Sequence, residues 1–139
     1  MNLSLAWPHV THLGFTGTRQ GMTHEQLRGL GEILAQTVGA TTFHHGDCVG
    51  SDAQAHALAQ KWGISCIVHP PRDLRFRAWC EGHIIEVPLE YLERNRAIVE
   101  ACDVLIAAPR TCEEEQRSGT WSTVRYARKL GRPIVFLMP

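Results

Sequence analysis

The chain has 139 residues, and its 14 lysines and arginines are balanced by 14 aspartates and glutamates. This neutral charge argues against nonspecific electrostatic binding of the protein as a whole to nucleic acid or to an anionic membrane. The length predicts one domain over residues 1–139, with an N-terminal extension at residues 1–11. We expect no signal peptide and no membrane span, because no basic n-region and no long apolar run is found.

Five cysteines are present, and no two of them have the C-x-x-C spacing. The odd number and the spacing argue against a disulfide framework or a zinc knuckle. Cys66 and Cys102 lie in or beside apolar runs, which predicts buried thiols. This cysteine usage fits a reducing compartment, so we expect a cytoplasmic protein, and we predict no bound metal and no cofactor.

Short apolar runs alternate with helical patterns along the chain. Strands are predicted at residues 12–16, 41–45, 64–68, 104–108 and 134–137. The first helix is predicted to begin at a Thr23–Gln26 capping box and to end at Gly39. Its buried face is predicted to contain Leu27, Leu30, Ile33, Leu34 and Val38.

Three more helices are predicted. Ser51 is expected to cap the second helix, and Pro88 is expected in the first turn of the third. The fourth helix covers residues 120–130 and is stopped by Gly131. The buried face of the third helix is predicted to consist of Leu89, Leu92, Ile98 and Val99.

Short, wholly apolar strands separated by helices are typical of a parallel sheet that is covered on both faces. Right-handed crossovers then favour an α/β, Rossmann-like, doubly wound fold with five parallel strands and helices on both faces. We predict the strand order 3-2-1-4-5, which places the switch point between the first and fourth strands. Residues 70–87 are predicted to be an irregular loop or a lid.

Glycine-rich loops follow the first two strands. In the first, Gly17, Thr18 and Arg19 offer a close backbone approach, a hydroxyl and a guanidinium to a phosphate, although a plain turn with a solvated arginine is also possible. The second loop enters a helix start, where N–H groups and the helix dipole favour an anion. Its candidate ligand-binding residues are Gly46, Asp47, Gly50, Ser51 and Asp52.

Several residues of the second loop have alternative interpretations. Asp47 and Asp52 are also candidates for binding a ribose hydroxyl. Asp52 is equally explained as a carboxylate in the first turn of a helix. His56, on the helix that follows, is either a packed helix residue or a catalytic base.

A third polar segment precedes the fourth strand. Glu93, Arg94 and Asn95 lie on one helix, and Arg94 and Asn95 are candidate ligand-binding residues. Glu93 and Arg96 alternatively form an ordinary surface ion pair.

The loop after the fourth strand again enters a helix. Ser118, Gly119 and Thr120 combine two hydroxyls with the N–H groups of a helix start, which predicts a phosphate cradle. An ordinary N-cap is the alternative, and one position can serve both purposes.

Four motifs then occur in a recognisable order. They are GDCVGSDAQAH at residues 46–56, ERNR at 93–96, DVLIA at 103–107 and SGT at 118–120. Together they resemble the superfamily of Lonely Guy and DNA-processing protein A relatives, and in particular its small Rossmann-like members. The first motif is similar to the G-x-x-x-G-x-D-x-x-A-H stretch of the DNA-processing branch. The last is similar to the P-G-G-x-G-T turn of the phosphoribohydrolase branch, which implies a nucleotide phosphate bound there.

The resemblance also has a gap. The phosphoribohydrolase branch has an acidic residue three positions after the threonine of that turn, where this chain has Thr123. Arg94 matches the branch's partner arginine and is therefore a candidate catalytic residue. An oxocarbenium-like state needs a carboxylate. The carboxylates available elsewhere are Asp47, Asp52, Glu86 and Glu93, of which we select Asp47 and Glu93 as catalytic candidates.

Arginines and aromatics alternate over residues 72–81. Such a segment can contact a base or act as a lid, form a subunit contact, or be a plain loop, and the sequence leaves these three alternatives open. Large aromatic residues near loops predict a homodimer. They are Trp79, Trp121 and Tyr126.

Three functions fit these observations. The first is a sensor or binding module for a nucleotide or a nucleotide-derived small molecule. The second is a nucleotide N-glycosidase or phosphoribohydrolase-like hydrolase, or a transferase acting at the N-glycosidic bond, and the sequence leaves open whether there is turnover. The third is a DNA-handling module, which the neutral charge and the lack of a basic stripe argue against.

Overall fold

The computed structural model describes residues 10–37 and 42–139. Most of the predicted N-terminal extension therefore lies outside the described residues. So do Val38 and Gly39, which were assigned to the end of the first helix, and Thr41 at the start of the second strand.

The strands form one parallel sheet. They are β1 (His12–Gly17), β2 (Thr42–His45), β3 (Ser65–Val68), β4 (Ile84–Ile85), β5 (Val104–Ala108) and β6 (Ile134–Phe136). Their order is β4-β3-β2-β1-β5-β6, and every neighbouring pair is parallel. The prediction of a parallel α/β sheet is confirmed.

The predicted strand count is wrong, and the order differs from the predicted one by an added edge strand, although the five predicted strands keep their relative positions. The sheet has six strands, because Ile84–Ile85 pairs with Ile67 and Val68 at the edge beyond β3. This two-residue strand lies within residues 70–87, which the sequence had assigned to an irregular loop or lid, and so does a 3-10 turn at Leu74–Phe76. A strand of two residues is too short for any periodicity to predict it.

Four α-helices lie in the described residues. They are α1 (His24–Gln36), α2 (Ser51–Lys61), α3 (Tyr91–Ala101) and α4 (Gly119–Leu130). The predicted capping box of α1 is confirmed, since Gln26 N donates to Thr23 Oγ1 at 3.1 Å and Thr23 N donates to Gln26 Oε1 at 2.9 Å. None of the helices described is long and apolar enough to cross a membrane.

Two helix starts differ from prediction. Gly50 rather than Ser51 is the N-cap of α2, and α3 begins after Glu90 instead of at Pro88. Ile98 and Val99 are buried as predicted, and Leu89 precedes the helix. Leu92 is exposed, and the buried positions are Arg94, Ile98 and Val99.

The helices cover both faces of the sheet. One core packs α1 and α2 against Leu13, Phe15, Phe43 and Ile106, and the other packs α3 and α4 against Leu105 and Ala107. Cys66 and Cys102 are buried, as predicted. This arrangement brings the ends of β1, β2 and β5 to one edge of the sheet, where the polar loops meet.

Candidate functional site

A cleft of about 760 Å³ opens at the carboxyl ends of β1, β2 and β5. Parallel sheets of this kind bind ligands at that edge, beside the switch point. Most of the predicted ligand-binding residues line it, namely Gly17, Thr18, Arg19, Gly46, Asp52, Arg94, Asn95, Ser118, Gly119 and Thr120. Asp47, Gly50, Ser51 and Glu93 do not line it.

Gly50 and Ser51 join the first two loops to each other. Gly50 has φ of 86°, and a Cβ there would lie 2.1 Å from the carbonyl oxygen of Arg19. The Ser51 hydroxyl donates to the carbonyl oxygen of Thr18 at 2.6 Å, and the Ser51 N–H donates to the same oxygen at 3.2 Å. These two residues therefore fasten the second loop to the first loop beside the cleft.

Asp47 turns away from the cleft. Its carboxylate is fully buried and accepts from Arg77 Nε at 2.9 Å and from the Cys80 N–H at 2.8 Å. Its carbonyl oxygen accepts from Ala78 N at 2.7 Å. Both carboxylate oxygens are thus used to fasten the segment 77–80 onto the second loop, and in this arrangement Asp47 serves as a structural anchor.

Asp52 is a buried carboxylate that lines the cleft. Its Oδ2 accepts from the Cys48 N–H at 3.2 Å. Burial raises the pKa of Asp52 to about 6, although the positive charge of Arg94 opposes that shift. A buried acid with a perturbed pKa in a cleft is typical of functional sites.

Arg94 is buried beneath the second loop. Its guanidinium donates from Nη1 to the carbonyl oxygens of Gly46 and His69, and from Nε to Asn95 Oδ1 at 2.8 Å. Gly46 has to be glycine here, because a Cβ would lie 2.6 Å from Arg94 Nη1. The neighbouring Glu93 points to solvent, so its predicted catalytic role has no support from this geometry.

The start of α4 is open to the cleft. Ser118 is its N-cap and accepts from Trp121 N at 3.2 Å. Within the described part of the chain, the N–H groups of Gly119 and Thr120 and the hydroxyl of Thr120 have no hydrogen-bond partner, although Thr120 is only 5% exposed. Nothing lies within 4 Å of the position that a Cβ on Gly119 would take.

Thr123 stands where the resemblance leads one to expect an acid. It is 1% exposed, and its hydroxyl donates to the carbonyl oxygen of Gly119 at 2.9 Å. Trp121 is also buried, packed on Phe136 with ring centroids 5.7 Å apart. Trp121 is therefore a core residue, and its use as evidence for an exposed dimer contact is wrong.

Residues 72–81 lie beside the cleft and do not line it. The guanidinium of Arg19 stacks over Phe76 at 4.1 Å, and that of Arg77 stacks over Trp79 at 3.7 Å. Trp79 is 59% exposed and has φ of 60°. The segment thus displays an exposed aromatic side chain beside the cleft and contributes none of the residues that line it.

Sequence reasoning missed six polar residues that line the cleft. They are Gln20, Cys48, Tyr91, Arg110, Glu115 and Gln116. Arg110 pairs with Glu115 at 2.5 Å, at the far side from Asp52. Their place in a polar loop after β5 was the only signal that could have found this pair.

His45, His56 and Cys80 cluster behind the second loop with ligand-type atoms within 4.8 Å of one another. His45 Nδ1 accepts from the Asp47 N–H at 3.1 Å, so a neutral ring carries its proton on Nε2. That proton points at His56 Nδ1, 2.8 Å away. Because a metal needs the lone pair that this proton occupies, the contact is a hydrogen-bonded histidine pair.

Solved structures share this architecture. A molybdenum cofactor binding protein of Rippkaea orientalis superposes with a TM-score of 0.69 and 23% identity, over 91% of this chain and 75% of that one. The molybdenum cofactor carrier protein of Chlamydomonas reinhardtii gives 0.68 and 23% over the same shares. DNA-processing protein A of Streptococcus pneumoniae gives 0.68 and 21% over 97% of this chain. The chain spans 52% of that structure.

The chain has the Rossmann-like fold of these proteins. The resemblance to DNA-processing protein A relatives that the motifs indicated is thereby confirmed for the fold. No protein-family model and no curated protein sequence matches the chain. The similar structures come from proteins that bind a small molecule or act on DNA, so the function of this chain has to be argued from its own cleft.

Proposed function

We propose that the cleft binds the phosphate of a nucleotide-like small molecule at the start of α4, and that the protein is a sensor or binding module. The observation that carries this proposal is the set of donors at Gly119 and Thr120. Two N–H groups and the Thr120 hydroxyl have no hydrogen-bond partner in the described chain, and both residues line the cleft. Unpartnered donors at a helix start favour an anion.

The charges around the cleft support an anionic ligand. Four arginines line it against two carboxylates, although the chain as a whole is neutral. The arginines are Arg19, Arg94, Arg110 and Arg117. A helix dipole contributes about 0.3–1 kcal/mol to binding an anion, and a charged hydrogen bond contributes about 1.5–3 kcal/mol. Together these favour a phosphate over a neutral group.

Gly119→Asp tests the proposal. A Cβ at this position meets open space, so the variant should fold, and a carboxylate at a helix start stabilises the helix by about 0.3–1 kcal/mol. The same carboxylate fills and repels the anion site. We expect a protein of equal or higher melting temperature that no longer binds the nucleotide.

Titration calorimetry of the parent protein, Gly119→Asp and the matched control Gly119→Ala measures this effect. The ligand is chosen by thermal shift from mono-, di- and cyclic nucleotides, ADP-ribose, NAD and the molybdenum cofactor. A ligand at 100 times its Kd stabilises by about 2.7 kcal/mol, which raises the melting temperature by several degrees. If Gly119→Asp binds as tightly as Gly119→Ala, the Ser-Gly-Thr turn is only a helix cap.

An N-glycosidic bond hydrolase or transferase is the second candidate, and one observation favours it. Asp52 supplies a buried carboxylate with a pKa of about 6 in the cleft, as general acid–base chemistry near neutral pH requires. It would take the role of the acid that is missing at Thr123. Chromatography of a nucleotide panel after incubation with the protein should show the released base, and Asp52→Asn should abolish that release.

A homodimer is proposed on the exposed apolar side chains near β4. Ile84, Ile85 and Val87 are each about half exposed or more, on an edge strand with no further neighbour in the described sheet. Exposed edges and apolar patches are typical of association sites. Light scattering at micromolar concentration should give twice the 15.6 kDa of the chain. A monomer mass would contradict it.

A further inference from the structure

Two opposite charges line the cleft without pairing with each other. Arg94 and Asp52 are each 6% exposed. Neither forms an ion pair with any side chain in the described residues. Buried charges in proteins are normally paired, because an unpaired one loses its hydration without compensation. The two charges offset each other only through space, so a ligand group that hydrogen-bonds to both residues would complete the pairing.

Asp52 presents an acceptor to that group. Its carboxylate accepts the Cys48 N–H on Oδ2. An ionised carboxylate has about four acceptor sites. The remaining sites can take two adjacent N–H donors from a ligand, as a carboxylate does with other planar donor pairs.

Arg94 presents a donor beside it. Nε and Nη1 are used on Asn95 and on the carbonyl oxygens of Gly46 and His69. The one described neighbour that Nη2 contacts is Cys48 Sγ at 3.8 Å, and a thiol sulfur is a weak acceptor. A ligand oxygen is the stronger partner for this nitrogen.

The complementary ligand edge is therefore two donors followed by one acceptor. A 2-amino-4-oxopyrimidine ring has this edge, since its amino group, ring N–H and carbonyl oxygen are consecutive. Guanine, with its N2 amino donor and O6 acceptor, is one source of such a ring, and a pterin is another. Adenine lacks the carbonyl, and hypoxanthine lacks the amino group.

The position along the cleft suits a ring at one end and a phosphate at the other. Gly46 follows β2, and the α4 donors follow β5, with β1 between these strands. The ends of β2 and β5 are two strand spacings, or roughly 10 Å, apart. A nucleotide or a phosphorylated pterin has the length to reach both positions.

We propose that the ligand carries a 2-amino-4-oxopyrimidine ring, whose two N–H donors bind Asp52 and whose carbonyl oxygen binds Arg94. The inference rests on the phosphate site proposed above and adds the identity of the ring. It makes Asp52 the residue that determines base specificity.

Titration of the full chain with GMP, IMP and AMP tests it without any variant. IMP differs from GMP only in lacking the amino group. GMP should bind about tenfold more tightly than IMP, and AMP more weakly still, because the site then keeps an unpaired buried acceptor. A phosphorylated pterin is titrated in parallel, and tighter binding of it than of GMP identifies the pterin as the source of the ring.

Asp52→Asn and Glu32→Gln form a matched pair of variants. The amide of Asp52→Asn presents a donor in place of one carboxylate oxygen, so this variant should lose the preference for GMP over IMP. It should also bind XMP, which has a second carbonyl in place of the amino group, more tightly than GMP. Glu32→Gln neutralises an exposed carboxylate of α1 outside the cleft and should keep the parent's preferences. Deoxy-GMP should bind the parent as GMP does.

The outcomes separate the two proposals. If none of the phosphorylated compounds binds, the proposed phosphate site is wrong. If AMP, IMP and GMP bind the parent equally, the phosphate site stands and the ring assignment is wrong. Loss of affinity for deoxy-GMP without any base preference would assign Asp52 to the ribose hydroxyls and would also overturn the ring assignment.

Discussion

The second and fourth loops both place a glycine at a helix start, and their surroundings are opposite. At Gly50, before α2, a Cβ would lie 2.1 Å from the carbonyl oxygen of Arg19, and φ is 86°. At Gly119, the first residue of α4, nothing lies within 4 Å of the Cβ position. The missing side chain of Gly50 makes room for the backbone of the first loop, whereas that of Gly119 leaves open space at the cleft.

The difference shows what a glycine before a helix can and cannot indicate. In both loops the glycine predicts that some group approaches the glycine backbone closely. In the second loop the approaching group is the first loop, since the Thr18 carbonyl oxygen accepts from Ser51 and the Arg19 carbonyl oxygen lies against Gly50. The unpartnered donors of Gly119 and Thr120 border open space instead, which supports the proposal of an anion at the fourth loop.

The largest expected effect contrasts the two glycines directly. Gly50→Ala forces a side chain into a left-handed backbone conformation and against a carbonyl oxygen, which should cost about 3 kcal/mol or more. Gly119→Ala meets no atom and lies at a helix start, so its effect should stay within about 0.5 kcal/mol. Urea unfolding followed by circular dichroism measures both free energies of unfolding. Equal stability of the two variants would contradict the packing difference.

Low pH should lower the free energy of unfolding, because three histidines of β2 and of the loop after β3 are buried. Burial lowers the pKa of His44 and His69 to about 4 and that of His45 to about 3, from 6.5. Between pH 6.5 and 4 the unfolded chain then binds more protons than the folded one, so stability is full above pH 6.5 and falls as the pH drops. For His69 alone the loss is about 2 kcal/mol at pH 5.

Urea unfolding at pH 7.5 and pH 5 tests this dependence. His69→Gln should show a smaller loss between the two pH values than the parent protein, because one of the titrating groups is removed. The control is His24→Gln, since His24 is exposed on α1 and should leave the pH dependence unchanged. An equal loss in both variants would assign the acid sensitivity to other groups.

The sequence predicted what depends on local pattern. Five of the strands, the capping box of α1 and the polar loops around the cleft follow from periodicity, turn residues and helix signals. It could not predict the pairing of Ile84–Ile85, because an edge strand of two residues depends on a neighbour distant in sequence. Nor could it separate Asp47 from Asp52, because their roles depend on which way each carboxylate points.

The same holds for Glu93, whose predicted catalytic role stays a prediction. Adjacent residues of a helix point about 100° apart, so Glu93 faces outward when Arg94 packs inward. Which of the two faces the cleft depends on how α3 packs against the sheet, and the sequence pattern did not reveal that.

Asp52→Asn should stabilise the protein while it impairs binding. The folded pKa of Asp52, about 6, lies above the ordinary 3.8, so the parent loses stability as the pH rises from about 4 through 6. The variant has no charge to bury and should be more stable by about 1–3 kcal/mol above pH 7. Unfolding at pH 4 and pH 7.5 checks this, since the difference should appear only at the higher pH.

The smallest expected effect concerns Arg117, which lies just before the start of α4. Arg117 is exposed at the cleft, and no hydrogen bond or ion pair joins it to another residue of the described chain. An exposed charge contributes up to about 1 kcal/mol to an ion pair, so Arg117→Ala should weaken nucleotide binding about two- to fivefold and leave the melting temperature unchanged. The loss should shrink at high salt, because salt screens exposed charges.

Arg28→Ala, which removes a surface arginine paired with Glu25, is the control and should bind as the parent does. Equal affinity of both variants at low salt would show that the anion is held by the α4 donors and the other arginines alone.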